Sequence, residues 1–271
     1  VSAAYQLALL RFVGCSTTSH ETSFVIGDEL GIGDLLVADD TEMMPLLTNA
    51  LTAGKSAADA QATLDRTFAA IGQGLFVHNH RMHCEAARLI AVRMGLDPAV
   101  QQGLEHTYER WDGQSTQRLA EGEGISLPMR VVQVAILAGM NGVRHSPGEL
   151  ANRARTMAGN QLDPGLAGIL AEDPATFCAG LDGNNLMQAT LGAEPGGPIW
   201  LSGSDIDLSL TAIADFGDFK SPHMLGHSRR VAQVASAAAR AASLPPTDVA
   251  DIGRAALIHD VMVRADRAVE G

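Results

Sequence analysis

SPHMLGHSRRVAQVASAAARAASLPPTDVADIGRAALIHDVMV, residues Ser221–Val263, is the stretch whose reading decides the fold. Behind His227 the apolar residues Val231, Val234, Ala235 and Ala238 recur at helical spacing. Pro245–Pro246 breaks that run, because proline removes a backbone donor and clashes with the preceding turn. A second helical run follows and closes on the adjacent pair His259–Asp260. Two antiparallel helices on so short a connection bring His227 to the dyad. Imidazole nitrogen and carboxylate oxygen both suit Zn, Mn and Fe, so His227, His259 and Asp260 form a candidate site for one divalent cation. His223 precedes His227 by four residues, one helical turn, and is a candidate further ligand. Asp260 is also the candidate catalytic group of the set.

Composition agrees with helices. The chain has 271 residues, 46% of them apolar but only 4% aromatic, so its core is built from Leu, Val, Ile, Ala and Met. Strand-like alternation is scarce, and the fold class expected is all-α. The net charge of −12 argues against nonspecific attraction to nucleic acid or to an anionic membrane. No run of about twenty apolar residues is present. Cys15, Cys84 and Cys178 form no metal-type pattern, and their odd number suits a reducing cytoplasm.

Outward from the opening stretch, the punctuation is that of short packed helices. Val1–Val13 reads as a buried helix stopped by Gly14, and Cys15–Asp40 as a loop broken by Gly27, Gly31 and Gly33. Helices are expected over Thr41–Ala53, Ser56–Ala70 (with Ser56 as cap), and His78–Met94. Asp97–Pro98, Ser146–Pro147, Asp163–Pro164 and Asp173–Pro174 each pair a capping side chain with proline at the first helical position. Pro128–Met140 reads as the most buried helix. Gly180–Gly203 changes character and reads as a linker, and Ser204–Phe219 as a connecting helix. The expected division is 1–175, a linker over 176–204, and 205–271.

Two segments repeat. LALLRFVGC at Leu7–Cys15 aligns with AALIHDVMV at Ala255–Val263, which sets Arg11 and Phe12 in the places of His259 and Asp260. The chain starts at Val1 and ends soon after the dyad, and both ends are expected to be cuts in a longer protein.

GHSRRVA followed by AALIHD resembles the HD superfamily of metal-dependent phosphohydrolases, whose fold is a helical bundle. Residues Leu75–Leu170 resemble the later part of its HD-GYP subclass, which hydrolyses a cyclic dinucleotide. Tyr108–Gly113 (YERWDG) matches part of the HHExWDGxGYP segment, with Thr107 and Tyr108 where the two histidines belong and Ser115–Gln117 where GYP belongs. Ile136 holds the place of a late Asp, and His83 stands for a mid-domain His. The resemblance implies that the first repeat is degenerate: Arg11 puts a positive charge where a cation would sit, and one imidazole does not hold a divalent metal. Metal is therefore expected at the second repeat and not at the first.

Each of these residues also has a plain structural role open to it. His78, His80 and His83 do not share one helical face, which favours capping or exposure. His106 reads as a helix-end histidine. Glu109, Arg110 and Asp112 either pair with one another and cap backbone around Trp111, or with His83 line a ligand pocket left from lost catalysis. Asp260 has Arg254 as an alternative partner. Three functions follow: a non-catalytic HD-GYP-like regulatory or dimerisation module of a cytosolic signalling protein, binding a nucleotide or cyclic dinucleotide and admitting a homodimer; a metal phosphohydrolase using the second repeat; or the regulatory part of a helix-turn-helix transcription regulator. A composite bundle, with Val231 and Leu257 against Pro128–Met140, is a further structural expectation.

Overall fold

A computed structural model describes residues 1–26, 35, 37–142, 145–181, 185–219 and 221–261. Among them are fourteen α-helices and no strand, as the composition requires. The first are α1 (Ser2–Leu10), α2 (Ser19–Ile26), α3 (Met43–Thr52), α4 (Ala57–Gly72), α5 (Leu75–Arg93) and α6 (Pro98–Glu105). Then come α7 (Leu127–Gly142), α8 (Pro147–Met157), α9 (Pro164–Glu172), α10 (Pro174–Cys178) and α11 (Leu186–Gly192). The last three are α12 (Ser204–Asp218), α13 (His227–Ala241) and α14 (Pro246–Ile258). No helix among the described residues is long and apolar enough to cross a membrane.

The α7 helix is the axis of the core. Its first half buries Met129 and Val132 against Leu7 of α1, Ala87 and Ala91 of α5, and Val100 and Leu104 of α6. Its second half buries Val134, Leu137 and Ala138 against Leu150 and Ala154 of α8 and Ala167 and Leu170 of α9. Alanine at many of these contacts lets helices approach closely, which is how a core poor in aromatics still fills. Leu104 and Met129 are fully buried, and truncating either to alanine costs about 2–5 kcal/mol. The four predicted cap-plus-proline starts all form. The side chains of Asp97, Ser146, Asp163 and Asp173 each accept a backbone N–H of the first turn, and Ser146 with Glu149 makes a reciprocal capping box.

Three expectations change. Gly14 does not stop a helix: α1 ends at Leu10, and Gly14 lies in a 3-10 turn, Val13–Thr17, pressed against α5. A Cβ there would stand 2.0 Å from the His83 carbonyl oxygen, so the close approach demands glycine. The expected loop Cys15–Asp40 contains α2, which packs on α4; its glycines 27, 31 and 33 lie outside the described residues. The Gly180–Gly203 stretch holds a short helix, α11, and the Tyr5 hydroxyl donates to the Thr190 carbonyl at 2.8 Å, tying it back to α1.

The carboxy-terminal hairpin forms as the opening stretch predicts. Helices α13 and α14 pack along each other, and α12 packs on both. The hairpin meets the earlier helices differently from the expected composite bundle. Contact runs through α12, which lies on α5 and on the Val13–Thr17 turn. The buried Asp215 of α12 pairs with Arg93 at the end of α5 and with Arg229 of α13.

Candidate metal centre

His227 is the first residue of α13, His259 caps the end of α14, and Asp260 follows it. The antiparallel hairpin therefore gathers the three at one end. Their ligand-type atoms lie within 4.8 Å of one another, and the two imidazole centroids are 5.4 Å apart. His227 and Asp260 are half-buried and His259 is exposed, so the site opens to solvent. Two further contacts fix its geometry. The His259 Nδ1 lies 2.8 Å from the Ala256 carbonyl oxygen, a pure acceptor. Nδ1 thus carries the proton and Nε2 keeps its lone pair for a metal, the arrangement that orients ligating histidines generally.

His227 is held through its neighbour. Asp218, the last residue of α12, accepts the Ser228 N–H at 3.1 Å and the Ser228 hydroxyl at 2.7 Å. Both side chains are buried, with Asp218 3% and Ser228 2% exposed. A carboxylate at this position also faces the positive end of α13. Nothing local in the sequence marks Asp218, because its partner lies ten residues on and across a chain reversal. The expected one-turn relation of His223 to His227 is absent. His223 is exposed in a separate 3-10 turn, Pro222–Met224, and Gly226, with φ +71°, divides it from α13. His223 is not part of the cluster formed by the other three. Arg254 pairs with Asp207 and Asp251, not with Asp260.

The aligned place at the end of α1 has the same backbone. Arg11 follows α1 at φ −55° and ψ −30°, and His259 follows α14 at φ −57° and ψ −29°. The side chains around Arg11 are of another kind. The Tyr108 hydroxyl lies 3.0 Å from His83 Nδ1 and 3.6 Å from Cys15 Sγ. The other His83 nitrogen, Nε2, is 2.6 Å from the Thr18 hydroxyl. Both imidazole nitrogens are thus engaged, and His83 has no lone pair to give a metal. His80 stacks on Tyr108 at 3.9 Å, with its Nδ1 2.7 Å from the Thr116 hydroxyl. The expectation of capping or exposure for this histidine group therefore fails for His80 and His83, which converge on one tyrosine across an i, i+3 step. Burial, with a smaller contribution from a neighbouring imidazole, pushes both down to about 4, so they are neutral at pH 7.

Glu109, Arg110 and Asp112 belong to a different network from His83. The Glu109 carboxylate is buried and accepts the Ser115 hydroxyl at 2.6 Å and the Leu119 and Ala120 N–H groups at 3.1 and 3.3 Å. Arg110 forks onto Asp40 and also pairs with Asp112, which holds both carboxyls below the usual range. These residues fasten the loop between α6 and α7, and among the described residues no hydrogen bond or ion pair joins them to His83. His106 caps α6 and its Nδ1 accepts the Ser126 N–H at 3.2 Å.

Comparison with known proteins adds to this geometry. No family model matches the chain. The chain is 29% identical over 182 residues to 3'3'-cGAMP-specific phosphodiesterase 3 of Vibrio cholerae serotype O1, a match covering 66% of this chain and 39% of that protein. The chain thus spans about two-fifths of the curated relative it matches. It is similar in fold to a crystal structure of a cyclic GMP-AMP specific phosphodiesterase from V. cholerae, with a TM-score of 0.62 at 23% identity, over 97% of this chain and 61% of that one. The chain is all-α, and in sequence and in fold it resembles these phosphodiesterases.

Proposed function

We propose that this chain carries metal ligands of a phosphohydrolase acting on a cyclic dinucleotide, and that its second repeat, 205–271, is the live one. The observation that carries this reading is the convergence of His227, His259 and Asp260 on one point. Their mixed nitrogen and oxygen donors fit a divalent Fe, Mn or Zn ion. Such an ion supplies Lewis acidity toward a phosphoryl oxygen and lowers the pKa of water. His227 and His259 bind as neutral imidazoles, and Ala256 holds the second in the tautomer that binding needs. Asp260 balances charge and is the member of the set able to accept a proton. The similarity to a 3'3'-cGAMP-specific phosphodiesterase supports a phosphodiester as the bond cleaved.

In this reading the first repeat, 1–175, does no chemistry and serves regulation or dimerisation, with 176–204 joining the two. Arg11, Phe12 and the fully engaged His83 support that assignment. The absence of a disulfide among Cys15, Cys84 and Cys178 suits a cytoplasmic setting. The test is elemental analysis and cyclic-dinucleotide hydrolysis by the full-length protein, with and without His259→Ala. Loss of both metal and turnover is expected; unchanged metal content overturns the reading.

A further inference from the structure

The two residues that follow His227 are both held from α12. Ser228 gives its N–H and its hydroxyl to Asp218, and Arg229 pairs with Asp215. Asp215 and Asp218 stand three residues apart, so one face of α12 carries both carboxylates. They are 5% and 3% exposed. Helix α13 has no side chain of its own to cap it, because Gly226 precedes it at φ +71°. Its first turn, with His227 in it, is therefore anchored from α12.

The first repeat anchors α12 in turn. Asp215 takes a second guanidinium, that of Arg93, the last residue of α5. Beside this pair α12 packs on α5 and on the Val13–Thr17 turn, and its Ala212 and Ala214 are buried. Among the described residues, Arg93–Asp215 is the one ion pair that crosses between 1–175 and 205–261. Taking such charges out of water offsets most of their attraction, while a planar guanidinium fixes the direction of approach. The contact is thus suited to setting geometry more than to adding stability.

We infer that Arg93 and Asp215 are positioning residues for the metal centre. The first repeat brings no ligand, yet through α12 it holds His227 in register with His259 and Asp260. The inference rests on the metal centre proposed above.

The decisive variant is Arg93→Met. It cuts the link to α5 and leaves Asp215 its pair with Arg229, so no buried carboxylate is stranded. Divalent-metal affinity of the full-length protein, read by chelator competition, is expected to fall about five- to tenfold, at the low end of the range for outer-shell partners. Asp215→Asn, which loosens both links, lowers it further, and adding Arg93→Met to that variant costs little more, because the two act through one contact. Without metal, amide hydrogen exchange in the first turn of α13 quickens in Arg93→Met. Leu150→Ala, a core cavity in α8 that leaves α12 untouched, lowers the unfolding midpoint but not the metal affinity. Three results overturn the inference: affinity in Arg93→Met within about threefold of wild type, on the order of measurement scatter; an equal loss in Leu150→Ala; or an Arg93→Met effect undiminished beside Asp215→Asn. Loss of metal in His259→Ala with none in Arg93→Met sinks this inference alone, whereas a wild type that binds no metal sinks the metal centre with it.

Discussion

The ends of α1 and α14 share backbone angles within a few degrees and differ in almost everything attached to them. One carries Arg11, its guanidinium laid over the Phe12 ring; the other presents His259 and Asp260 to a second imidazole. Helix geometry at this position therefore does not depend on the metal-ligand side chains. Leu7 and the apolar face of α1 keep the first end packed on α6 and α7. Chemistry at such an end can be exchanged while the scaffold stays.

The sharpest way to break the comparison is at the ligands. Replacing His259 by alanine is expected to lower divalent-metal affinity by more than about a hundredfold, beyond the loss typical of outer-shell partners. Competition with a chromophoric chelator reads this, and an affinity within threefold of wild type, on the order of measurement scatter, counts against a metal centre there.

A second contrast is pH. His80 and His83 sit near 4 in the folded chain against 6.5 when unfolded, so between those values the unfolded state binds more protons. Their contribution is complete above about pH 6.5 and is lost as pH falls toward 4. Together the two cost on the order of 2–4 kcal/mol, discounted for their partial exposure and shared contact with Tyr108. Denaturant midpoints at pH 7 and pH 5 measure it, and a His80→Gln, His83→Gln double variant is expected to flatten the slope. A slope unchanged in that variant rules the pair out as its source.

A smaller effect is expected one step behind the ligands. Asp218→Asn keeps the side chain's shape but weakens its grip on Ser228, and metal affinity should fall about tenfold. Ser228→Ala should do the same to a lesser degree. If chelator competition finds both variants equal to wild type, Asp218 serves only to cap α13. The smallest effect belongs to Tyr5→Phe, which removes the bond to Thr190 and should lower stability by about 0.5–1.5 kcal/mol in chemical denaturation.

How far the sequence reveals these features depends on how local their causes are. The caps at Asp97, Ser146, Asp163 and Asp173 are readable because each side chain serves N–H groups two or three residues away. The hairpin of α13 and α14 is readable from apolar spacing and a proline pair, and with it the cluster of His227, His259 and Asp260. The α2 helix is not: Ser19–Ile26 has weak helix formers, and packing on α4 supplies what propensity lacks. His223 misleads because a four-residue interval implies one turn only if the helix is already running, and Gly226 starts it later. Asp218 and the Tyr108–His83–Thr18 chain are tertiary relations, with partners 10 to 65 residues apart, and no periodicity points to them.

Gly14 carries a consequence for the evolution of the first repeat. Its missing methyl lets one backbone lie directly on the carbonyl of His83, so the spacing of the two segments is set by main chain rather than by any side chain. Side chains nearby can therefore change without altering that spacing. A single added carbon at position 14 would instead wedge the two segments apart, taking the imidazole with it.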